Sequence, residues 1–185
     1  MQQHSRRISR AGAGLIVIDV QDRLWPVMVE KDRLLENLVR LVKGAVILGL
    51  PIVVTEQYPK GIGATVAELA AALPAGTPIE KLTFSAWDVP AFGEALRARG
   101  ITEPILCGIE AHVCVCQTCL DLLDAGLRPF VVADAVSSRT AENCRLALER
   151  MRTAGAIIVS TEMILFELLE RAGTPEFKQI LALVK

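Results

Sequence analysis

Four of the chain's five cysteines lie close together, between residues 107 and 119. They are Cys107, Cys114, Cys116 and Cys119, and the fifth is Cys144. Cysteine thiolates bind zinc, exchange electrons as Cys-x-x-Cys pairs and act as nucleophiles, and thiols also pair as structural disulfides. The spacing of these residues, and the elements that carry them, decide which of the four chemistries is favoured.

The positions of these cysteines do not favour a metal site. Structural zinc sites use cysteine pairs on turns, whereas Cys114, Cys116 and Cys119 fall in a segment with helical periodicity. Successive helical side chains point about 100° apart, so Cys114 and Cys116 do not face one ion. Imidazole ligands could come only from His4 and His112. A redox pair of Cys116 and Cys119 remains an alternative on spacing alone.

The composition predicts a globular protein that binds neither nucleic acid nor membranes. Apolar residues make up 52%, charged residues 22% and aromatic residues 4%, with a net charge of -1. Nucleic-acid and membrane surfaces call for basic patches, which this balance does not suggest. The first 14 residues carry no long apolar stretch of the kind found in secretory signals. We therefore expect a cytoplasmic, reducing compartment, in which a disulfide framework is disfavoured.

Strand and helix patterns alternate along the chain. This alternation predicts an α/β fold with three α/β/α layers and a mainly parallel, doubly wound sheet. Residues 1–11 are predicted to be a flexible lead-in, and residues 12–185 a single domain. The predicted strands are 14–21, 51–56, 77–87, 103–110, 128–136 and 156–161, and the predicted helices are 31–50, 63–73, 89–100, 112–126, 139–155, 162–173 and one from Pro175.

Open α/β sheets bind ligands outside the carboxyl ends of their strands. Candidate site residues are therefore the polar residues that end the predicted strands or follow them. They are Asp19, Glu56, Lys81, Glu110, Asp134 and Thr161.

Cys114 is the cysteine best placed to act as a nucleophile, because it falls in the first turn of a predicted helix. Free N–H groups and the helix dipole favour a thiolate there, and the same N–H groups can bind an oxyanion. The other four cysteines are predicted to be small buried residues. Asp19 ends an aliphatic strand and is a candidate base, while Lys81 could hold both groups electrostatically.

The chain resembles the isochorismatase-like cysteine hydrolases from about residue 12 to the end. The segments that carry the resemblance include "LIVIDVQ", "VVTEQYPKGIG", "EKLTFSAW" and "GIEAHVCVCQT". Within this nicotinamidase-related family, the later segments look most like the isochorismatase-domain-containing subgroup. The resemblance therefore implies the isochorismatase-like version of the predicted α/β/α fold.

The resemblance also implies a catalytic triad of Asp19, Lys81 and Cys114. In related amidases the cysteine attacks an amide carbonyl, the aspartate acts as base and acid, and water releases the thioester. The family has a cis peptide before the cysteine, which falls here between Ile109 and Glu110. That bond would aim the N–H groups of Glu110 and Cys114 at one oxyanion.

One departure from the family bears on metals. Nicotinamidases of the family bind zinc through an Asp-x-His pattern and further histidines after the second strand, where this chain has "TEQYPKGIG" without histidine. We therefore expect no metal and no cofactor. The intact triad favours carbonyl chemistry over the vinyl ether hydrolysis of true isochorismatases.

These observations predict metal-independent hydrolysis of a small amide or carbamoyl substrate. Vinyl ether hydrolysis and a non-catalytic interaction protein that retains the fold are the alternatives. A homo-oligomer is expected, because the segment from residue 162 to the end is rich in apolar residues and family members commonly associate. Candidate pocket residues are Trp25, Tyr58, Phe84, Trp87 and His112.

Overall fold

The computed structural model describes residues 6–185, and a sheet of six strands lies at its centre. All the strands are parallel, and their order across the sheet is β3-β2-β1-β4-β5-β6. The strands are β1 (Ala13–Ile18), β2 (Ile52–Gln57), β3 (Ile79–Lys81), β4 (Glu103–Ile109), β5 (Phe130–Ser137) and β6 (Ile157–Val159).

Helices cover both faces of this sheet. They are α1 (Lys31–Ile47), α2 (Pro59–Ile62), α3 (Ala67–Ala70), α4 (Pro90–Ala98), α5 (Cys116–Asp124), α6 (Ala141–Ala154), α7 (Thr161–Leu169) and α8 (Pro175–Val184). One apolar core lies between the sheet and α1, α7 and α8, and a second lies between the sheet and α4, α5 and α6. The predicted three-layer α/β/α fold is confirmed.

The central strands explain why the sequence shows continuous apolar runs. Every residue of β1 and of β4 is buried, because each strand has a neighbour on both edges and a helix layer on both faces. Parallel strands covered in this way lose the alternation of apolar and polar residues seen in half-exposed sheets.

Two predicted elements are shorter in the structure. The predicted helix 63–73 is helical only at Ala67–Ala70, because Thr65 pairs with Gln21 in an antiparallel bridge that requires extended backbone. The predicted segment 77–87 is a strand only at Ile79–Lys81. The residues after it turn back, and the carbonyls of Thr83 and Phe84 accept hydrogen bonds from the Lys81 ammonium.

The predicted flexible lead-in makes contacts in the part that the structure describes. Ile8 is buried, the Ser9 N–H donates to the Glu103 carboxylate, and the Arg10 guanidinium donates to the Leu48 carbonyl. An apolar side chain and two polar anchors therefore hold residues 8–10 against the sheet. Residues 1–5 of the lead-in lie outside the described residues.

The C-terminal helices use most of their apolar side chains inside the fold. Ile164, Leu165 and Leu168 of α7 and Ile180 of α8 are buried in the core that α1 shares. The apolar content of this segment is therefore explained by packing within one chain, and it gives no support to the expected oligomer.

Candidate active site

Three predicted site residues lie at the carboxyl ends of β1, β3 and β4, at the same end of the sheet. Asp19 follows β1 directly, Lys81 is the last residue of β3, and Cys114 lies in a wide, π-helical turn (Ala111–Val115) that follows β4. Asp19 has a φ of 51°, a left-handed conformation that aspartate tolerates better than most residues. The chain therefore leaves β1 sharply at this residue.

A close approach of β4 to β1 lies beside this point. Gly108 has a φ of 117°, and a Cβ added there would collide with the Ile18 carbonyl oxygen. Glycine therefore allows β4 to pass next to the residue that precedes Asp19.

Asp19 and Lys81 form a buried ion pair. The Lys81 Nζ lies 2.6 Å from Asp19 Oδ2, and both side chains are fully buried. The Thr55 hydroxyl donates to Asp19 Oδ1 at 2.7 Å. A buried carboxylate is costly unless it is paired and hydrogen-bonded. Here Oδ1 accepts the hydrogen bond from Thr55, and Oδ2 is held by the ion pair with Lys81 without a hydrogen bond.

Three further oxygens surround the Lys81 ammonium. It donates to Gln57 Oε1 at 2.7 Å, to the Phe84 carbonyl at 3.0 Å and to the Thr83 carbonyl at 3.2 Å. An ammonium carries three N–H donors, so these partners and Asp19 satisfy it fully. The charge is thus held at one fixed point beside the turn that carries Cys114.

The Cys114 thiol is buried next to this ion pair. The pKa of the Cys114 thiol is raised to about 12, chiefly by burial and next by the Asp19 charge, while the Lys81 charge lowers it. The helix start was expected to favour a thiolate, but burial and the Asp19 charge outweigh the Lys81 charge and favour the neutral thiol. A neutral thiol requires a base in order to act as a nucleophile.

The turn before Cys114 is fixed by Glu110. The peptide bond between Ile109 and Glu110 is cis, as the resemblance implied. The Glu110 carboxylate accepts from Arg139 Nη2 at 2.6 Å and from Nε at 3.0 Å, and this ion pair holds the pKa of Glu110 below its ordinary value. The Glu110 carbonyl accepts from the N–H groups of Val113 and Val115, which flank Cys114.

The remaining strand-end candidates form separate structural contacts. Glu56 Oε1 accepts from both the N–H and the hydroxyl of Thr65 at 2.7 Å. Asp134 Oδ1 accepts from the N–H of Thr161 at 2.8 Å and from its hydroxyl at 2.9 Å. These bonds tie loops and the start of α7 to the sheet, and none of them reaches the ion pair.

The structure does not gather the five predicted pocket side chains into one wall. Tyr58 lines a cavity of about 350 Å³ together with Lys81 and Leu82. Phe84 is exposed, although its carbonyl contacts Lys81. Trp25 packs against the core on the α1 side of the sheet, and Trp87 against the core on the opposite side.

His112 lies on the Arg139 side of the site. Its Nδ1 is 3.0 Å from the Ser138 hydroxyl and 4.0 Å from Glu110 Oε2. It is therefore a neighbour of the Glu110 ion pair, and its side-chain contacts are with Ser138, Glu110 and Asn143.

Sequence reasoning missed several residues that hold the site together. Thr55 contacts Asp19, Gln57 contacts Lys81, and Gln21 contacts Gln57. In the sequence they stand out only as polar residues within or just after apolar strand patterns. The sequence did not indicate that Arg139 pairs with Glu110, because the two residues are 29 positions apart and follow different strands.

The described residues show neither a cluster of metal ligands nor a membrane-spanning helix. Within residues 6–185, no group of three or more His, Cys, Asp or Glu side chains is arranged to hold a metal ion. No helix in the described part of the chain is both long and apolar enough to cross a membrane.

A family comparison agrees with this architecture. Residues 13–163 match the isochorismatase domain model. The chain therefore belongs to the isochorismatase family, and its fold is that of an isochorismatase-family hydrolase.

Individual relatives place the chain more finely. It is 38% identical to isochorismatase domain-containing protein 2 of Danio rerio, over 94% of this chain and 87% of the relative. It is 42% identical to the secreted isochorismatase effector Isc1 of Phytophthora sojae, over 92% of this chain and 83% of the relative. The predicted likeness to the isochorismatase-domain-containing proteins is thus confirmed.

Solved structures show the same fold. A structure of Mar1 ribonuclease from Caenorhabditis elegans is 39% identical, with a TM-score of 0.90, and the match covers 96% of this chain and 92% of that one. YcaC of Escherichia coli, described as an octameric hydrolase of unknown specificity, is 26% identical with a TM-score of 0.90. That match covers 98% of this chain and 92% of YcaC.

The other cysteines differ from Cys114 in place, and one of them differs in exposure. Burial raises the pKa of Cys107, Cys116, Cys119 and Cys144, but Cys144 is partly exposed whereas the other three are buried. We expect iodoacetamide to modify Cys144 and, more slowly, Cys114 in the folded protein, with the Cys114 rate rising about tenfold per pH unit between pH 6 and 9. Peptide mapping by mass spectrometry measures this, and early modification of Cys116 or Cys119 would revive the redox-pair alternative.

Proposed function

We propose that the protein is a metal-independent cysteine hydrolase that cleaves small amide or carbamoyl substrates through a thioester. The observation that carries the proposal is the buried pair of Asp19 and Lys81, 2.6 Å apart, beside the buried Cys114 thiol. A base and a cation held next to one thiol form the arrangement that activates a nucleophile. Residues 12–185 are proposed to act as one domain, because all six strands join one sheet.

In the first step, Cys114 Sγ attacks the substrate carbonyl carbon. The thiol proton passes to the Asp19 carboxylate as the carbon–sulfur bond forms, since a thiol with a raised pKa is neutral at rest. The carbonyl electrons move onto oxygen and give a tetrahedral oxyanion. Lys81 stays protonated and offsets the negative charge that develops around sulfur.

Backbone N–H groups are proposed to bind that oxyanion. The candidates are the N–H groups of Glu110, just before the turn Ala111–Val115, and of Cys114, within that turn. The Glu110 carbonyl accepts from Val113 and Val115, one residue on either side of Cys114, which supports a Cys114 N–H left available for substrate. Donors preorganised in this way commonly account for about 10²- to 10³-fold of rate.

Collapse of the oxyanion breaks the carbon–nitrogen bond. Asp19 returns its proton to the leaving nitrogen, which departs as ammonia or an amine, and the acyl group stays on Cys114 Sγ as a thioester. Asp19 then takes a proton from water as that water attacks the thioester. The second tetrahedral intermediate expels the thiolate, which regains the proton from Asp19 and releases the acid product.

The two alternative functions require different groups of the same site. Vinyl ether hydrolysis needs an acid such as protonated Asp19 but no thiol, and an interaction protein needs neither. The ribonuclease name of the C. elegans relative adds phosphodiester cleavage to the reactions to be tested.

A substrate panel tests the proposal. Wild type and the Cys114→Ser variant are assayed on small amides, ureas and carbamates, on isochorismate and on single-stranded RNA, with EDTA present throughout. The proposal expects turnover of at least one amide or carbamoyl compound that is lost in the variant. Equal turnover of isochorismate by both proteins, or RNA cleavage without amide cleavage, would contradict it.

We also propose a cytoplasmic homo-oligomer. Leu82, Phe84 and Tyr58 expose 76%, 54% and 50% of their surface near the Lys81 end of β3, and apolar patches of this kind mark association surfaces. YcaC of E. coli is described as octameric, whereas the P. sojae relative is described as secreted, which makes the compartment a separate question.

Light scattering tests the association. We expect a mass of at least twice 20.0 kDa at micromolar concentration. Leu82→Asp should lower the mass by placing a charge in the patch, and Met163→Asp, at an exposed apolar position on α7, is the control. A 20.0 kDa monomer in the wild type would contradict the proposal.

A further inference from the structure

We infer that Gln21 is a positioning residue for Lys81 and that it acts through Gln57. The inference rests on the proposed function, because it assigns a support to the lysine of the proposed triad. Neither glutamine need touch the substrate for this role. The contacts that carry the inference run from the end of β1, across the end of β2, to the ammonium.

Gln21 takes over the pairing of β2 at the point where β1 has left the sheet. The regular ladder ends when the Asp19 N–H donates to the Thr55 carbonyl at 3.2 Å. The next rung would join the Gln21 N–H to the Gln57 carbonyl, but the Gln21 N–H donates instead to the Asp19 carbonyl at 2.8 Å. The turn at Asp19 therefore leaves both backbone groups of Gln57 without a strand partner on that side.

The side-chain amide of Gln21 replaces the missing strand. Its Oε1 accepts from the Gln57 N–H at 2.7 Å, and its Nε2 donates to the Gln57 carbonyl at 2.9 Å and to the Gly63 carbonyl at 2.6 Å. The side chain is fully buried, so water cannot serve these groups in its absence. Backbone groups buried without partners are costly, and the end of β2 would move to find others.

Gln57 transmits this placement to Lys81. Its Nε2 donates to the Leu82 carbonyl at 2.8 Å, which fixes which end of the carboxamide is nitrogen. Its Oε1 therefore faces the Lys81 ammonium, which donates to it at 2.7 Å. A shift of the Gln57 backbone would carry this acceptor away from the ammonium and loosen the lysine beside Asp19 and Cys114.

The role predicts an effect on the thiol that a purely structural residue would not have. The Lys81 charge lowers the pKa of Cys114 against burial and the Asp19 charge. An ammonium that is displaced from Cys114 lowers the thiol pKa less, so less thiolate is present at any given pH. Both alkylation of Cys114 and the first chemical step should become slower.

Alkylation kinetics test the inference without any substrate. Gln21→Leu and Gln57→Leu are made singly and together in a Cys144→Ser background, and the rate of Cys114 modification by iodoacetamide is followed from pH 7 to 9. We expect each single variant to react about tenfold more slowly at every pH. The double variant should be no slower than the slower single variant, because both changes act along one path.

Asn37→Leu is the matched control for loss of a buried amide. Asn37 lies on α1, and its Nδ2 donates to the Asp134 carbonyl at 2.8 Å, away from the triad. This variant should lose stability in thermal unfolding but keep the alkylation rate of the background protein. Gln57→Leu also covers the case in which Gln21→Leu does not fold, since it removes the contact to Lys81 and leaves the Gln21 bonds to the backbone.

The outcomes separate this inference from the proposed function. Unchanged alkylation in a folded Gln21→Leu or Gln57→Leu protein would overturn the inference, as would slowing that is additive in the double variant. Once a substrate is known, kcat should also fall by about 10- to 100-fold in Gln21→Leu. Slower alkylation in a protein that hydrolyses nothing would leave the inference standing and remove only the proposed function.

Discussion

The Cys114→Ala variant is expected to lose about 10⁴- to 10⁶-fold in kcat on any amide or carbamoyl substrate that the wild type turns over. The thiol sulfur is the atom that forms the covalent bond in the proposed reaction, and it lies beside the pair of Asp19 and Lys81. The remaining rate would come from binding and the backbone N–H groups alone. The measurement is steady-state kinetics with protein whose fold is checked by circular dichroism.

Cys119→Ala is the matched control for this change. Cys119 is fully buried in α5, about one helical turn beyond Cys114, and its pKa is raised by burial and by Cys116. Its replacement should cost stability through a small cavity but change kcat by no more than a few fold. Turnover by Cys114→Ala within tenfold of wild type would show that the thiol is not the nucleophile.

The Asp19→Asn variant is expected to separate turnover from thiol reactivity. Turnover should fall by about 10⁴-fold, because the amide cannot accept the thiol proton or return it to the leaving nitrogen. Alkylation of Cys114 should become faster. The negative charge of Asp19 raises the thiol pKa, so its removal lowers that pKa and increases the thiolate present at a given pH.

Asp134→Asn is the control for the loss of a strand-end carboxylate. The Asp134 side chain accepts hydrogen bonds from the N–H and the hydroxyl of Thr161, away from Asp19 and Lys81. This variant should leave both kcat and the alkylation rate close to wild type. Slower alkylation in Asp19→Asn would contradict the assigned electrostatics, and retained turnover would contradict its role as the base.

The sequence predicted those parts of the fold that depend on local pattern. The aliphatic run before Asp19 marked β1, because a strand covered on both faces must be apolar throughout. Alternation with amphipathic helices implied the parallel sheet. The rule that polar residues collect at strand carboxyl ends then pointed to Asp19 and Lys81, which the structure places 2.6 Å apart.

The features that the sequence did not predict depend on contacts between distant segments. The Gln21 side chain hydrogen-bonds to Gln57 of β2 in place of a strand because the chain turns at Asp19. The pattern of apolar residues in the sequence does not indicate that turn. Arg139 meets Glu110 from a different strand connection. The thiol pKa depends on the depth of burial of Cys114, and the position of a residue at a helix start does not reveal that depth.

The central claim is a thioester on Cys114, and the most direct test is to observe it. The protein is mixed with 4-nitrophenyl acetate, quenched in acid during turnover, digested and mapped by mass spectrometry. An acetyl group is expected on the peptide that carries Cys114, at the γ-sulfur. It should disappear as the ester is consumed and never form in Cys114→Ala. Steady release of nitrophenol with Cys114 unmodified, or acetyl found only on another residue, would contradict the central claim.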